Sequence, residues 1–360
     1  MKRFALLFLL LFSITVQAEP RWSIEQANQW YSRQPWLVGS NFIPRTAINQ
    51  LEMWQAETFD PRTIDRELGF AENIGMNTMR VFLHNIPWEQ DAEGFKKRIG
   101  EYLSIADKHH IKTMFVLFDS CWNDNPKPGP QPAPKPGVHN SGWVRAPGTE
   151  RLFDSRTWGG LEGYTRDILK TFGKDTRVLA WDLFNEPSNS GYMDAVMPFL
   201  KKVFEWAKQA NPSQPITAGW WHDHPMSNEF MFDNSDIVTF HQYGTADKLE
   251  AQIKELQKMK RPLICTEYMA RTRGSLFETC LPVFKQYHVG AINWGLVKGK
   301  TNTIFAWDTP LPGINEPPVW FHDIFRPDGT AYSTKEVDLI RTLTGKRSQP
   351  RAAAKSAGKS

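Results

Sequence analysis

What most constrains this chain is an alternation. Short apolar runs of strand character recur eight times, with amphipathic stretches of helical period between them. The strand segments are 36–42, 77–83, 112–119, 178–186, 215–220, 236–244, 262–268 and 290–296. Helical stretches are predicted at 61–75, 93–110, 161–173, 192–210, 246–260, 275–288 and 333–345, with a short helical piece in the loop after the fifth strand segment. Apolar period and the Gly and Pro breakers set these boundaries. Strands that alternate with helices pair in parallel, because each crossover helix returns the chain to the same end of the sheet. Eight such units without a linker-like break predict one α/β domain, a closed (β/α)8 TIM barrel with long βα loops after strands 3 and 8. No glycine-rich nucleotide fingerprint follows any strand segment. No internal repeat is present beyond the alternation itself.

The two ends of the chain read differently from the body. Lys2 and Arg3 precede the apolar run FALLFLLLFSITV, and Val16-Gln17-Ala18 offers small residues for cleavage. Residues 1–18 therefore read as a secretory signal peptide, since the run falls short of the ~20 residues a spanning helix needs. The expectation is export, periplasmic or extracellular, without stable membrane insertion. Residues 19–345 form the barrel domain, and 346–360 a basic tail whose composition predicts disorder. The formal charge of +4 falls to +2 without Lys2 and Arg3, and to −3 without the tail's Lys346, Arg347, Arg351, Lys355 and Lys359. No basic stripe suggests nucleic acid. Cys121, Cys265 and Cys280 are an odd set without metal-ligand spacing, which leaves at least one free thiol and excludes a disulfide scaffold. The sequence leaves the oligomeric state open.

A barrel of this kind places its chemistry at the C-terminal ends of the strands. Those ends carry the polar and aromatic cargo of the chain. The second has Arg80, the third Asp119 and Trp122, the fourth Asn185-Glu186, and the fifth Trp220-Trp221-His222. The sixth has His241 and Tyr243, the seventh Glu267 and the eighth Trp294. Glu186 and Glu267 end strands that lie roughly across the mouth, so their carboxylates face each other over a cleft. Two carboxyl groups flanking a bond are what glycoside hydrolysis requires, one protonated to release the leaving oxygen and one ionised to attack. Their surroundings must push the two acidities apart. Arg80 and Tyr243 are placed to keep Glu267 ionised, while aromatic neighbours favour a protonated Glu186.

These residues carry a resemblance. WDLFNEP at 181–187 and PLICTEY at 262–268, together with Arg80, the HQY of 241–243 and Trp294, resemble clan A of the glycoside hydrolases. Within that clan the chain is most similar to family 5, the cellulase and mannanase family, from GSNF at 39–42 to the last helix. The resemblance implies Glu186 as general acid/base and Glu267 as nucleophile, with a covalent glycosyl-enzyme and net retention. It also implies Asn185 on the sugar 2-hydroxyl, Arg80 and Tyr243 as partners of the nucleophile, and His241 near the acid/base. Trp294 would be the platform under the sugar, and the substrate a β-glucan or β-mannan. No cofactor and no metal are implied. The family commonly has a histidine at the end of strand 3. Here FDSCWND puts Asp119 there, and either His84 or His139 is left to substitute.

Other features bear on a cleft. Trp88, Trp122, Trp143, Trp158, Trp220, Trp221, Trp307 and Trp320 all fall in or beside βα loops. Aromatic rings stack on the apolar faces of sugars, so Trp122, Trp221 and Trp307 are candidate substrate contacts. The Pro-x-Pro segment at 120–143 favours extended chain and either walls the cleft or decorates the barrel. His222-Asp223-His224, with His241, either bond sugar hydroxyls or form a metal site. Asp182 either supports Arg80 or His241 or is a plain inner polar residue. A transglycosylase with the same covalent intermediate and a non-catalytic carbohydrate-binding barrel remain the alternatives.

Overall fold

The computed structural model describes residues 21–221 and 225–346. The signal segment, most of the basic tail and His222-Asp223-His224 lie outside the described residues. Eight strands form one parallel sheet: β1 (Val38–Asn41), β2 (Thr78–Phe82), β3 (Lys112–Asp119), β4 (Val178–Asn185), β5 (Ile216–Gly219), β6 (Val238–His241), β7 (Leu263–Glu267) and β8 (Gly290–Trp294). The sheet order is β5-β4-β3-β2-β1-β8-β7-β6. The last seam is closed by a bridge in which Trp220 N–H donates to Thr239 O at 3.3 Å and His241 N–H to Trp220 O at 2.9 Å. The result is the (β/α)8 barrel that the alternation predicts.

Each strand segment of the sequence reading contains one strand; 112–119 is reproduced in full, and the others are shorter by one to five residues. The helices follow for local reasons. Asp60 caps the helix Pro61–Glu72 by accepting from Thr63 N–H at 3.1 Å, and Pro61 supplies a preset first turn. The predicted helix 192–210 divides into a 3-10 turn, Met193–Val196, and the helix Met197–Ala210, with a proline in its first turn. The helix Ile24–Ser32, to which the sequence reading assigns no element, brings Tyr31 under the barrel floor. There it meets Leu37, Met114, Leu179, Ala180, Ile237, Ile264 and Ile292. Short helices at Gln50–Trp54, Asn85–Gln90 and Thr149–Phe153 are also unanticipated. Among the described residues no helix is long and apolar enough to cross a membrane. All three cysteines are free thiols.

The parallel registers align the functional rim. Asn41 pairs with Arg80 and Trp294, Asp119 with Asn185, Asn185 with Gly219, and His241 with Glu267. The apolar floor below and this polar rim above divide the barrel into a structural half and a chemical half.

Candidate active site

Both glutamates sit beside register irregularities. Between β4 and β5 the register shifts over Asp182–Asn185, and between β6 and β7 it shifts at Phe240/His241. A bulge adds a residue to one strand and re-aims the side chains beyond it. Asp182 and Asn185, three apart, consequently both reach Arg80, which strict alternation would forbid. The sequence reading carries β4 through Glu186, but the strand ends at Asn185 and Glu186 adopts a left-handed backbone with φ 45°. A non-glycine residue in that region stores strain, which commonly marks a functional site. The turn is completed by Asn189 N–H donating to Glu186 O at 2.9 Å.

Arg80 is wholly buried and organises the floor of the site. It donates through Nε and Nη2 to Asp182 Oδ2 at 3.0 and 2.8 Å, and through Nη2 to Asn185 Oδ1 at 2.6 Å. Its Nη1 donates to Asn41 Oδ1 and to Glu267 Oε1, both at 2.9 Å. Asp182 thus supports Arg80. Arg80 itself lies beneath the cleft rather than on its wall, so it reaches substrate only through the groups it holds. Tyr243 OH donates to Glu267 Oε2 at 2.8 Å, so both oxygens of Glu267 accept from a donor.

Glu186 has a different shell. His241 Nδ1 lies 2.6 Å from its Oε1, and 3.5 Å from Glu267 Oε2. Asn189 Nδ2 donates to its Oε2 at 2.5 Å, and the Cys121 thiol donates to the same oxygen at 3.1 Å. Burial pushes both glutamic acids above the ordinary carboxylate range. The bonds from Arg80 and Tyr243 favour charge on Glu267, and two adjacent buried anions repel, so the shared proton falls to Glu186. Burial lowers His241 to about 4, so its ring is neutral at pH 7. Gly219 makes room for that ring, because a Cβ there would stand 3.2 Å from His241 Nε2.

Asp119 ends β3, the place at which the family commonly has a histidine. It accepts from Asn185 Nδ2 at 2.9 Å and from Trp143 Nε1 at 2.7 Å, and burial raises it to about 6. Neither candidate histidine takes that place. His84 caps the helix Asn85–Gln90 and bonds Arg145 O, away from the glutamates. His139 reaches the cleft from the loop after β3, where its ring stacks on Trp122 at 5.1 Å between centroids.

A cleft of about 910 Å3 opens above these groups. Glu186, Glu267, Asn185, His241, Tyr243 and Trp294 face it, with Trp122, Trp221 and Trp307 on its walls. Trp143 and Trp220 join them, whereas Trp88, Trp158 and Trp320 pack loops and helices elsewhere. Sequence reasoning missed Asn189 and His322, which also line the cleft, and gave Cys121 no role. Asn189 lies three residues after Glu186, a local signal that a turn at Pro187 would return it to the carboxylate. Nothing in the sequence places His322. Glu186, His241 and Glu267 each present one ligand atom within 4.8 Å of the others, the one such grouping among the described residues. Arg80, 2.9 Å from Glu267, already supplies the counter-charge there.

The chain is similar to known proteins in part of its sequence and in its fold. The family model for cellulase, glycosyl hydrolase family 5, matches residues 135–300. Among solved structures, an endo-1,4-beta-D-mannanase from Thermotoga petrophila is similar with a TM-score of 0.55 and 14% identity, covering 86% of this chain and 99% of that one. A variant of GH5_18 from Streptomyces cattleya, in complex with Manb1-4GlcNAc, is similar with a TM-score of 0.57 and 12% identity, over 86% of this chain and 80% of that one. A glycoside hydrolase family 5 mannosidase from Rhizomucor miehei gives a TM-score of 0.54 and 14% identity, over 87% and 94%. No curated protein matches the sequence.

Proposed function

We propose that the chain is a clan A glycoside hydrolase, most like family 5, and that it is an exported retaining β-glycosidase acting on a β-linked oligo- or polysaccharide. The observation that carries the mechanism is the short gap between the two carboxyl groups. One oxygen of each lies within 4.8 Å of the other. Retaining enzymes hold the pair about 5–5.5 Å apart, whereas inverting enzymes need about 6.5–9.5 Å to admit a water.

Glu267 attacks the anomeric carbon, and a C–O ester bond forms as the glycosidic C–O bond breaks. Glu186 gives its proton to the departing oxygen. Glu186 then takes a proton from water, whose oxygen displaces Glu267 from the sugar. Two displacements restore the original anomeric configuration. Arg80 and Tyr243 keep Glu267 anionic for the first step. Asn185, fixed between Arg80 and Asp119, presents its amide to the 2-hydroxyl. Trp294 is the platform under the sugar. Export rests on the N-terminal segment alone. β-Mannosides are the first substrates to test, because the similar solved structures include mannan-active enzymes.

The test is hydrolysis of aryl β-glycosides and β-linked oligosaccharides, with the product anomer read by NMR. The β-anomer should appear first. Glu186→Ala should lose about 10²–10⁴-fold in rate on substrates with poor leaving groups. Full activity in Glu267→Ala, or an α-anomer product, would overturn the mechanism.

A further inference from the structure

The loops after β3 and β8 are sewn together. Asn140 N–H donates to Thr301 O at 2.7 Å, Leu311 N–H to Gly137 O at 2.9 Å, and Gly313 N–H to Pro136 O at 3.3 Å. Asn302 Nδ2 donates to Lys135 O at 2.9 Å, and His139 Nδ1 lies 2.7 Å from Phe305 O. In the sheet order β1 and β2 lie between β8 and β3. The seam therefore runs over the β1–β2 side of the mouth and closes it. On the opposite side the cleft is bordered by Trp220, Trp221, Gln242 and Arg273, from the segments that follow β5, β6 and β7, and by Gln252 of the helix Ala246–Leu256.

The chemistry fixes which half of a substrate faces the seam. Glu186 protonates the departing oxygen, and beyond Glu186 lie Trp220 and Trp221. Glu267 keeps the sugar it attacks, and beyond Glu267 lie Trp294 on β8 and then β1. The retained sugar thus sits toward the closed side and the departing part toward the open one.

Asn140 stands at the closed end. It is 1% exposed and lines the cleft, and neither its Oδ1 nor its Nδ2 has a hydrogen-bond partner. A buried carboxamide left unpaired at both ends is costly. Two neighbouring sugar hydroxyls supply the donor and the acceptor that it lacks.

We propose that the joined loops make the cleft blind on its non-reducing side, so that the enzyme removes the terminal sugar of its substrate, and that Asn140 recognises that sugar through hydroxyls remote from the anomeric carbon. The proposal deepens the glycosidase reading and rests on it. A chain running through the site would need an exit where the seam stands. A single sugar fills the blind end and leaves the remainder to extend over β5–β7.

The experiment follows β-1,4-linked manno- and gluco-oligosaccharides labelled at the reducing end, alongside the polymers. Loss of one sugar at a time from the non-reducing end, with polymer viscosity unchanged, is the expected result. Internal cleavage from the first turnovers would overturn the proposal while leaving the glycosidase reading intact. Failure to hydrolyse even aryl β-glycosides would sink both. Asn140 has φ 46°, a conformation glycine adopts freely, so Asn140→Gly removes the carboxamide without straining the loop. It should lower kcat/KM on the terminal sugar on the order of 10- to 100-fold with Tm unchanged. Unchanged kcat/KM with a lower Tm would show that Asn140 faces only the small cavity of about 20 Å3 behind it, and would overturn its assigned role.

Discussion

Cys121 is the residue whose chemistry goes furthest beyond what its sequence position announces. Burial and the neighbouring Glu186 push its thiol well above the ordinary range, so it remains S–H and donates. Together with Asn189 it supplies Glu186 Oε2 with two donors, which leaves Oε1, on the His241 side, as the oxygen to carry the proton. Both bonds favour the ionised carboxylate and oppose the effect of burial. Cys121→Ala removes one donor, so the Glu186 pKa should rise further. A general acid works while protonated, so the basic limb of the kcat/KM profile should move to higher pH in that variant. The acidic limb, set by Glu267, should stay in place. Cys121→Ser keeps a donor and should behave like the parent. A basic limb unmoved in Cys121→Ala would dismiss the thiol as a mere neighbour.

At the scale of elements, the strands deliver the residues and their irregularities aim them. Segment limits were legible because apolar runs and breakers are local features. The bulges in the β4–β5 and β6–β7 pairings were not, since one extra residue in a ladder leaves no compositional trace. The length of the loops after β3 and β8 is legible in the sequence, but their seam depends on backbone bonds between segments about 170 residues apart. Gly137 tests the seam. Its φ is 77°, and a Cβ would stand 1.7 Å from Leu311 O. Gly137→Ala should separate the loops at a cost of about 1–3 kcal/mol, read as a lower Tm, and should raise KM for terminal sugars. A Tm and KM equal to the parent's would show that the seam bears no load.

For the whole molecule, buried acids set the pH response. Glu67 is 1% exposed on the helix Pro61–Glu72, with Arg45 N–H 3.1 Å from its Oε2 and Arg45 Nε 3.8 Å from its Oε1. Burial raises its carboxyl from 4.5 to about 8. The fold therefore prefers the protonated acid. That preference is fully present below pH 4.5 and is lost as pH rises toward 8. Asp119 and Asp323, each raised to about 6, act in the same sense at lower pH. Glu67→Gln has no proton to lose. Its stability relative to the parent should grow between pH 5 and 8, by on the order of a few kcal/mol in chemical denaturation. A difference independent of pH would show that Glu67 is already ionised in the fold.

The sequence by itself determined the barrel, the rim on which the chemistry lies, and the pairing of Glu186 with Glu267. Those follow from period, from parallel connection and from the rule that strand ends face one mouth. It also supplied Arg80, His241 and Tyr243, because each lies on a strand or just past one. Only the tertiary structure decided that Asp119 holds Asn185, that Cys121 touches Glu186, and that the loops after β3 and β8 join with Asn140 beside the cleft. These depend on distances between segments remote in the chain and on bulges that shift a side chain from one face to the other. A periodic pattern specifies which face a residue shares. It carries no information about which partner waits there.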